Sequence, residues 1–403
     1  MDVQKSYDVV IAGASAAGLY TAKLLAQAGK RVAIFERQVL LGKPGRTLIV
    51  TGELLRVLDF APTNAILHQV DVMEMFAGNQ IARVNLREPD LIIERGTMIQ
   101  RLGAHAAQAG AQIHLGHSVQ SIDFNNNSIR IQIADELHDE TLTVETQTLV
   151  GADGARSPIA RAMGTRPQIT APIVQARVRL PQGYDPRIVQ IWFDRDLTRF
   201  FFWLIPDSNE FGVLGLVADS AENARRLLDE FLRRHNYQAL SYQGAVIPLH
   251  HPRRQIEWAR NACRVLLVGD AAAHVKVTTV GGLVSGVWGA RSAAESILRG
   301  TAYSAKASPL LRELYLHDAM RWLLDRFSNA DYAHLLKAIN GPLQELLGEH
   351  NRDSMARAFW QLVAAQPQLA LLGARAVLFP HEPTAQLSAR EKPGLSAEPK
   401  RAA

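Results

Sequence analysis

Cysteine, clustered charge and long apolar runs are scarce in this sequence. Cys263 is the only cysteine among 403 residues, which excludes an internal disulfide or a cysteine-cluster metal site and favours a reducing compartment. No uninterrupted apolar run reaches the roughly 18 residues that predict a membrane-spanning helix. The net charge of +5 is small for this length. Since no block of lysine or arginine alternates with aromatic residues, nucleic-acid binding is not indicated.

The remaining composition is that of an ordinary soluble α/β protein. Hydrophobic residues make up 47% and charged residues 21%, which argues against extensive disorder and, at this length, for two joined domains. The N-terminal residues enter an apolar strand without a basic and apolar leader, so we expect a cytoplasmic protein. His250 and His251 would face opposite sides of a strand, so no metal site is expected.

The first motif reads YDVVIAGASAAGLYTAKLLAQAGKRVAIFER, an apolar strand followed by a glycine turn, a helix and a second strand. Gly13 permits the tight turn and Gly18 the close packing of helix on strand, while Ser15 stands where the dinucleotide fingerprint has its middle glycine. Glu36 ends the second strand, where it would accept hydrogen bonds from a ribose, and the helix N-terminus favours a diphosphate. The dinucleotide-binding residues predicted from this motif are Gly13, Ser15, Ala17, Gly18, Glu36 and Arg37.

Two later stretches repeat the pattern of a strand that ends in glycine and aspartate. TQTLVGADGARSPIARAMG contains Asp153 and Gly154, and RVLLVGDAAAHVKVTTVGGLVSGVWGARSAAE contains Gly269 and Asp270. Together with the first motif, they resemble the three fingerprints of flavoprotein hydroxylases of the p-hydroxybenzoate hydroxylase type. They stand in the same order along the chain and extend over most of 300 residues.

This resemblance implies FAD as the cofactor. In that family the aspartate of the last motif binds the ribityl chain and the middle motif lies near the diphosphate, which implies these roles for Asp270 and Asp153. Arg95 matches a family arginine that opens a helix close to the cofactor. With one nucleotide fingerprint, we expect NAD(P)H or ferredoxin to act only as a transient electron donor. The FAD-binding residues implied beyond the first motif are Arg46, Arg95, Asp153, Gly154, Gly269, Asp270, Gly281 and Gly282.

The last motif continues in a way that resembles the geranylgeranyl reductase family, whose stretch reads roughly GDAAGxVKPTTGGGIxxxxxSGxxAAE. Val277 replaces the proline of that family, and Val280 replaces its first glycine. The resemblance implies that the glycine pair clears the flavin face for an apolar substrate. The positions in register are Val275, Lys276, Thr278, Thr279, Gly281, Gly282 and Ala293–Glu295.

A second stretch, RFFFWLIPDSNEFGVLGL, is similar to the aromatic-x-Trp-x-Phe-Pro strand that lines the lipid pocket in the same family. Plain core packing is the alternative for its aromatic side chains. Flavin halogenases share a Trp-x-Trp-x-Ile-Pro strand that FFWLIP matches in part. The substrate-binding residues implied by the resemblance to the reductases are Phe201, Trp203, Ile205 and Pro206.

One segment departs from the reductase pattern. The reductases commonly carry a cysteine near the flavin after the second strand, whereas LGKPGRTLIVTGELLRVL has Gly45 and Arg46 in this region and no cysteine. The same segment resembles the hydroxylases, in which an arginine here approaches the cofactor. The loop therefore favours a monooxygenase, whereas the glycine pair favours a reductase.

These motifs predict an α/β protein with a Rossmann-like FAD-binding domain of the p-hydroxybenzoate hydroxylase type, an inserted antiparallel-sheet substrate domain and a C-terminal helical region. The predicted FAD-binding domain is discontinuous and comprises residues 1–75, 95–165 and 260–300. The predicted substrate domain, a roof over the flavin, comprises residues 76–94 and 166–259. We expect residues 301–380 to be helical and residues 381–403 to be a disordered tail. The apolar helix PQLALLGARAVLF favours core packing, with peripheral contact to a membrane surface as the alternative.

We expect an FAD-dependent oxidoreductase that reduces carbon–carbon double bonds of an isoprenoid or other apolar substrate by hydride transfer from N5 of the reduced flavin. His274 and Lys276, beside the glycine pair, are the candidate catalytic residues for the accompanying proton. A capping or surface role is the alternative for His274, and binding of a phosphate or water is the alternative for Lys276. The alternative functions are a monooxygenase that hydroxylates or epoxidises through a C4a-hydroperoxyflavin, a flavin-dependent halogenase and a non-catalytic flavin-binding regulator.

Overall fold

Short apolar strands build a parallel sheet in the computed structural model, which describes residues 5–355, 361, 366 and 368–381. The first strand is buried along its whole length, as expected for a strand covered on both faces. The six strands are Val9–Ala12 (β1), Val32–Glu36 (β2), Gln112–Leu115 (β6), Thr148–Gly151 (β10), Glu257–Arg260 (β16) and Cys263–Leu267 (β17). Their order is β16-β17-β10-β1-β2-β6, and only the edge strand β16 is antiparallel to its neighbour.

A second sheet of eight strands, named here the roof sheet, lies over the carboxyl edge of the first. Its strands are Thr47–Val50 (β3), Ile66–Ala77 (β4), Gln80–Glu94 (β5), Thr170–Arg179 (β11), Ile188–Trp192 (β12), Phe202–Pro206 (β13), Phe211–Val217 (β14) and Ala239–Pro248 (β15). Their order is β15-β11-β14-β13-β12-β4-β5-β3, with β12 and β4 parallel and the other pairs antiparallel. A separate three-stranded sheet consists of His117–Phe124 (β7), Ile129–Asp135 (β8) and Glu140–Thr146 (β9).

Helices cover the parallel sheet and form most of the C-terminal region. The described α-helices are Ala16–Gln27 (α1), Glu53–Val57 (α2), Arg95–Gln108 (α3), Pro158–Ala162 (α4), Ala221–Arg234 (α5), Leu283–Arg299 (α6), Tyr303–Lys306 (α7), Ser308–Leu324 (α8), Asn329–Ala338 (α9), Gly341–Glu349 (α10) and Gln368–Leu378 (α11). Helix α1 packs against α3 and α6. Among the described helices, none combines the length and the apolar character needed to cross a bilayer.

The roof sheet joins strands from two separate parts of the chain. Strands β3 and β4, which the sequence analysis grouped up to residue 75 with the FAD-binding domain, lie in this sheet. Strand β4 pairs with β12 in a register that sets Val72 opposite Ile188. The predicted domain boundaries stay a prediction. Most of the predicted disordered tail, residues 382–403, lies outside the described residues.

Candidate active site

A large cavity of about 1120 Å³ lies between the parallel sheet and the roof sheet. The turns after β1, β10 and β17 line one end, and the inner face of the roof sheet lines the other. Ligands of open α/β sheets bind beyond the carboxyl ends of the strands, which is where this cavity begins. Its volume exceeds the roughly 300–1000 Å³ of an ordinary small-molecule site. The space therefore suits a dinucleotide together with a second ligand.

The glycine turn after β1 brings the N-terminus of α1 to the cavity. Gly13 has a φ of 98°, and a Cβ at this residue would lie 2.5 Å from the carbonyl oxygen of Ala152. The Ser15 side chain caps α1 by accepting a hydrogen bond from the backbone N–H of Gly18 at 3.2 Å. A Cβ on Gly18 would lie 2.4 Å from the carbonyl oxygen of Gly13, so Gly18 permits close packing although it does not line the cavity.

Glu36 stands at the end of β2 and lines the cavity beside Arg37. Its carboxylate accepts hydrogen bonds from the backbone N–H groups of Ala14, at 2.7 Å, and Gln38, at 2.9 Å. These two contacts fix the carboxylate between the glycine turn and the end of β2. Each carboxylate oxygen has a further lone pair, so the group is suited to bind the hydroxyls of a ribose.

Asp270 and two arginines form the electrostatic centre of the cavity. The carboxylate of Asp270, a half-buried residue, accepts no hydrogen bond from the described residues, and the buried Nε of Arg46 has no acceptor among them. Burial raises the pKa of Asp270, although the positive charges of Arg46 and Arg95 act to lower it. Burial, together with the charge of Arg95, lowers the pKa of Arg46 to about 10. Since buried polar groups normally have partners, this centre suits a ligand with hydroxyls and negative charge.

The middle motif supplies a second buried carboxylate. Oδ2 of Asp153 accepts a hydrogen bond from the backbone N–H of Ile159 at 3.1 Å, near the start of α4. Its Oδ1 is buried and has no hydrogen-bond partner among the described residues. Burial raises the pKa of Asp153, and Gly154 beside it has a φ of 86°. Both residues line the cavity.

The segment 276–282, named here the glycine loop, forms a tight turn before α6. The N–H of Lys276 donates to the carbonyl oxygen of Gly281 at 3.1 Å. Val280 has a φ of 50°, in the left-handed region that favours glycine and costs a branched residue about 1–3 kcal/mol. A Cβ on Gly282 would lie 3.3 Å from Oδ1 of Asp270, so this glycine permits close approach to the carboxylate.

Opposed residues on the roof sheet form a row that changes from polar to apolar. The row consists of Gln243, Gln175, Gly215, Trp203, Ile191 and Met75. The Gln175 amide donates to the side-chain oxygen of Gln243 at 2.7 Å, which forms the polar end. A Cβ on Gly215 would lie 2.5 Å from Cζ2 of Trp203, so the indole ring lies directly against this glycine. Apart from Gly215, every residue of the row lines the cavity.

The predicted substrate-binding residues divide between the cavity and the sheet. Phe201, Trp203 and Ile205 line the cavity. Pro206 does not line it, and instead pairs with Gly212 at the end of β13. Their assignment to the substrate stays a prediction.

The structure does not bring His274 to the cavity. Its ring is fully buried against Gly289, where an added Cβ would lie 2.2 Å from the ring Nδ1. Neither ring nitrogen has a hydrogen-bond partner among the described residues. Burial, assisted by the positive fields of His250 and Arg254, lowers the pKa of His274 to about 3, so the ring is neutral at neutral pH.

Lys276 lines the cavity and forms an ion pair with Asp353, which follows α10. The two side chains are only 7% and 4% exposed. Asp353 also accepts a hydrogen bond from the hydroxyl of Thr51 at 2.6 Å. Burial raises the pKa of Asp353, but the Lys276 charge and these hydrogen bonds outweigh it, so the pKa lies below its usual value. A second pair, Arg352 with Asp90 at 2.6 Å, lies beside the first.

Several polar residues of this site have no signal in the sequence. Asp353 and Arg352 come from a region recognised only as helical, and no local pattern marks them. Thr278 was matched to the reductase motif, but its contact with His317 of α8 had no signal in the sequence. Lining residues that were not predicted include Thr47, Thr51, Gln175, Gln243, Arg352 and Asp353.

The residues present fit FAD. A helix N-terminus, a ribose-binding carboxylate and an aspartate without a partner occur in the order in which the diphosphate, ribose and ribityl groups require them. The orphaned Nε of Arg46 and Oδ1 of Asp153 are the kind of buried atoms that a polar cofactor satisfies. The predicted FAD-binding residues that line the cavity are Gly13, Ser15, Ala17, Glu36, Arg37, Arg46, Arg95, Asp153, Gly154, Gly269, Asp270, Gly281 and Gly282.

Comparison with known proteins agrees with this assignment. A family model described as an FAD binding domain matches residues 6–319. Digeranylgeranylglycerophospholipid reductase 1 of Methanosphaera stadtmanae is 25% identical over 332 residues, which cover 76% of this chain and 79% of the relative. The chloroplastic geranylgeranyl diphosphate reductase of Oryza sativa is 26% identical over 340 residues, which cover 78% of this chain and 72% of the relative. The predicted resemblance to geranylgeranyl reductases is confirmed.

Solved structures share the fold. A geranylgeranyl bacteriochlorophyll reductase-like protein of Thermoplasma acidophilum aligns with a TM-score of 0.75 and 17% identity, over 91% of this chain and 99% of that chain. The p-nitrophenol 4-monooxygenase of Pseudomonas putida aligns with a TM-score of 0.63 and 18% identity, over 96% and 100%. The predicted fold class, an FAD-binding α/β fold with a helical C-terminal region, is therefore confirmed.

Proposed function

Because the chain belongs to the family that carries this FAD binding domain, we propose that it is an FAD-dependent oxidoreductase that reduces carbon–carbon double bonds of an isoprenoid or similarly apolar chain. The observation that carries this proposal is one continuous cavity with a cofactor cradle at one end and an apolar wall at the other. The relatives named digeranylgeranylglycerophospholipid reductase and geranylgeranyl diphosphate reductase support the same class of substrate.

FAD, once reduced, supplies the hydride for such a reduction. We assign the ribose hydroxyls to Glu36, the diphosphate to the N-terminus of α1 and the ribityl hydroxyls to Asp270. Arg46 and Arg95 bring positive charge to the same part of the cavity, which favours an anionic cofactor. If NAD(P)H or ferredoxin reduces the flavin, we infer that it does so as a transient visitor.

The apolar wall positions the substrate by shape. A hydrocarbon chain offers no group for a hydrogen bond, so only packing can hold one double bond within about 3.5 Å of the reacting atom. The same packing excludes water from the reaction. The residues of the apolar wall are Met73, Met75, Val189, Ile191, Phe193 and Phe201.

A monooxygenase is the second candidate, and one observation favours it. The cavity segment that carries a cysteine in many reductases has Gly45 and Arg46 here, and the only cysteine, Cys263, is buried at the start of β17 and does not line the cavity. The apolar wall would accept an aromatic ring as well as an alkene.

The deciding experiment follows the flavin spectrum of the full-length, FAD-loaded protein. After anaerobic reduction with dithionite, the protein is mixed with geranylgeranyl diphosphate or with a phospholipid that carries geranylgeranyl chains. For a reductase, the flavin should reoxidise and mass spectrometry should find two added hydrogens for each reduced double bond. Phytanyl diphosphate, a saturated chain of equal length, is the matched control and should leave the flavin reduced.

A reduced flavin that neither lipid reoxidises would overturn the reductase proposal. If the flavin then reoxidised with oxygen and inserted an oxygen atom into the lipid, the monooxygenase would replace it. Both outcomes are read from the same sample, since oxygen is admitted after the anaerobic trace is complete.

We further propose a cytoplasmic protein that contacts membranes peripherally through the end of α11. Leu371, Leu378 and Phe379 are 71%, 71% and 76% exposed. Trp322 of α8 is half exposed, and the Arg326 guanidinium lies 3.6 Å from its ring centre. The backbone N–H of His381, just beyond α11, donates a hydrogen bond to the carbonyl oxygen of Arg326. Exposed apolar and aromatic side chains beside arginine are typical of an interfacial anchor.

Vesicle flotation tests this contact. The double variant L378D/F379D should lose binding to vesicles that contain anionic lipid, whereas I81D, a charge added at an exposed isoleucine of β5, should keep it. Equal flotation of both variants would contradict the assignment to α11.

A further inference from the structure

Reduction of a double bond requires a proton as well as a hydride, and the two residues suggested by the sequence are poorly placed to give one. His274 lies behind the cavity wall with a neutral ring. Lys276 lines the cavity, but its ammonium is bound to the Asp353 carboxylate, which holds the proton in a buried pair. Another group on the wall is therefore better suited to give the proton.

Thr278 is such a group, because it lines the cavity and contacts a buried histidine. Its Oγ1 lies 2.5 Å from Nδ1 of His317. His317 belongs to α8, is 1% exposed and does not line the cavity. Thr278 thus lies between the cavity, which the residue lines, and the buried imidazole that its hydroxyl contacts.

A carboxylate completes the chain. Nε2 of His317 lies 3.6 Å from Oε1 of Glu313, one helical turn earlier in α8. The Glu313 side chain is 13% exposed, more than the 2% of His317. Nε2 makes no hydrogen bond to a described residue, so the Glu313 carboxylate lies beside it at ion-pair distance only. The order of the groups is nevertheless that of a hydroxyl–imidazole–carboxylate triad, in which the carboxylate orients the ring. Hydroxyl, imidazole and carboxylate therefore follow one another from the cavity wall towards the more exposed Glu313, with a hydrogen bond at the first step and an ion-pair distance at the second.

We propose that Thr278 donates the proton to the substrate, that His317 resupplies Thr278, and that Glu313 positions His317. This inference rests on the proposed reductase function. Thr278 is the catalytic residue, because it reaches the cavity, and His317 and Glu313 act through it.

The step balances. One alkene carbon gains the hydride with its electron pair, and the π electrons form a new C–H bond to the proton that leaves Oγ1 of Thr278. In the same step, Nδ1 of the His317 imidazolium gives its proton to Oγ1, so the threonine ends as a hydroxyl and the histidine as a neutral ring. His317 then regains a proton from solvent along the Glu313 side. The substrate has gained one hydride and one proton, and the reduced flavin is the only electron source.

The test compares variants in the anaerobic experiment, with geranylgeranyl diphosphate as the probe. T278V keeps the shape but removes the hydroxyl, and T278S restores it. General acid catalysis typically accelerates a reaction by about 100- to 10,000-fold. T278V should therefore slow flavin reoxidation by at least about 100-fold at saturating probe, without a matching change in the probe concentration that gives the half-maximal rate. T278S should stay within a few-fold of wild type.

Two further measurements separate a proton relay from a structural role. The wild-type rate should fall in D2O, and H317Q should reduce both the rate and this solvent isotope effect. Reoxidation by ferricyanide, which takes electrons from the flavin without protonating a carbon, should be unchanged in T278V and H317Q. An unchanged ferricyanide rate also demonstrates that each variant is folded and loaded with FAD.

The possible failures are distinguishable. A wild-type protein that the probe does not reoxidise would overturn the proposed function and this inference with it. If wild type is reoxidised and T278V keeps its rate, only the inference is overturned, and loss of activity in K276M would then identify Lys276 as the donor.

Discussion

Lys276 of the glycine loop and Asp353 after α10 form a buried ion pair on the cavity wall. The pair ties the loop beside Asp270 to the C-terminal helical region. The hydroxyl of Thr51, just beyond β3, donates to the same carboxylate, so three distant parts of the chain meet at one group. The contact therefore holds the wall between cofactor and substrate in place.

Asp353→Asn should destabilise the protein strongly. Removal of one partner leaves the Lys276 ammonium buried without a counter-charge, which typically costs about 3–5 kcal/mol. The free energy of unfolding in urea measures the loss. The apolar double variant K276M/D353L should recover most of it, and D71N, which breaks an exposed pair with Arg187, should change little. A D353N protein as stable as D71N would contradict a structural role for the pair.

Asp270→Ala should weaken FAD binding while the protein stays folded. The substitution removes a carboxylate that has no donor among the described residues and is assigned to the ribityl hydroxyls. Hydrogen bonds to a charged group contribute about 1.5–3 kcal/mol, so the dissociation constant should rise about 10- to 100-fold. Fluorescence titration of the apoprotein with FAD measures it. A D270A protein that retains FAD as tightly as wild type would refute the assignment.

The apoprotein should become less stable as the pH rises through the folded pKa of Asp270. Burial raises this pKa, so between the unfolded value of about 3.9 and the folded value the folded state binds more protons than the unfolded state. Stability therefore falls with rising pH over this window. D270N should remove this decline and give an apoprotein more stable than wild type at neutral pH. Urea unfolding at several acidic pH values measures this. If the carboxyl has no such effect, the free energy of unfolding of wild type and of D270N will change with pH in parallel.

Val280 should tolerate glycine better than alanine. V280A removes part of the packing of this side chain against the roof sheet but keeps a left-handed backbone. V280G removes the same packing and also releases about 1–3 kcal/mol of backbone strain. Urea unfolding should therefore find V280G more stable than V280A, although glycine is the smaller residue. The reverse order would mean that the turn holds no such strain.

The cofactor cradle could be predicted from the sequence because each part of it is local. A strand, a glycine turn and a helix within 30 residues fix the positions of Gly13 and Glu36, and a strand followed by Gly-Asp fixes Asp270. The family resemblance added the glycine pair and the apolar strand β13. The glycine pair and, from β13, Trp203 and Ile205 line the cavity, whereas Pro206 does not, and the roles assigned to them stay predictions.

The polar groups of the far wall could not be predicted, because their contacts join distant segments. Asp353 meets Lys276, and His317 meets Thr278, only through the packing of C-terminal helices that carry no motif. His274 was chosen for its closeness in sequence to the glycine pair. The left-handed turn at Ala273, with a φ of 55°, directs the chain so that the His274 ring packs against α6 instead.

The order of strands in the parallel sheet has a consequence for how the protein folds during its synthesis. Strand β17 docks beside β10, yet five of the eight roof strands, β11 to β15, lie between them in the chain. During synthesis from the N-terminus, Asp270 therefore emerges only after the roof strands have been made. Such long-range pairing slows folding, because loops must close before the contacts form. The ribityl site is thus completed only after all the roof strands have been made, and FAD, by binding it, would select chains that have finished both sheets.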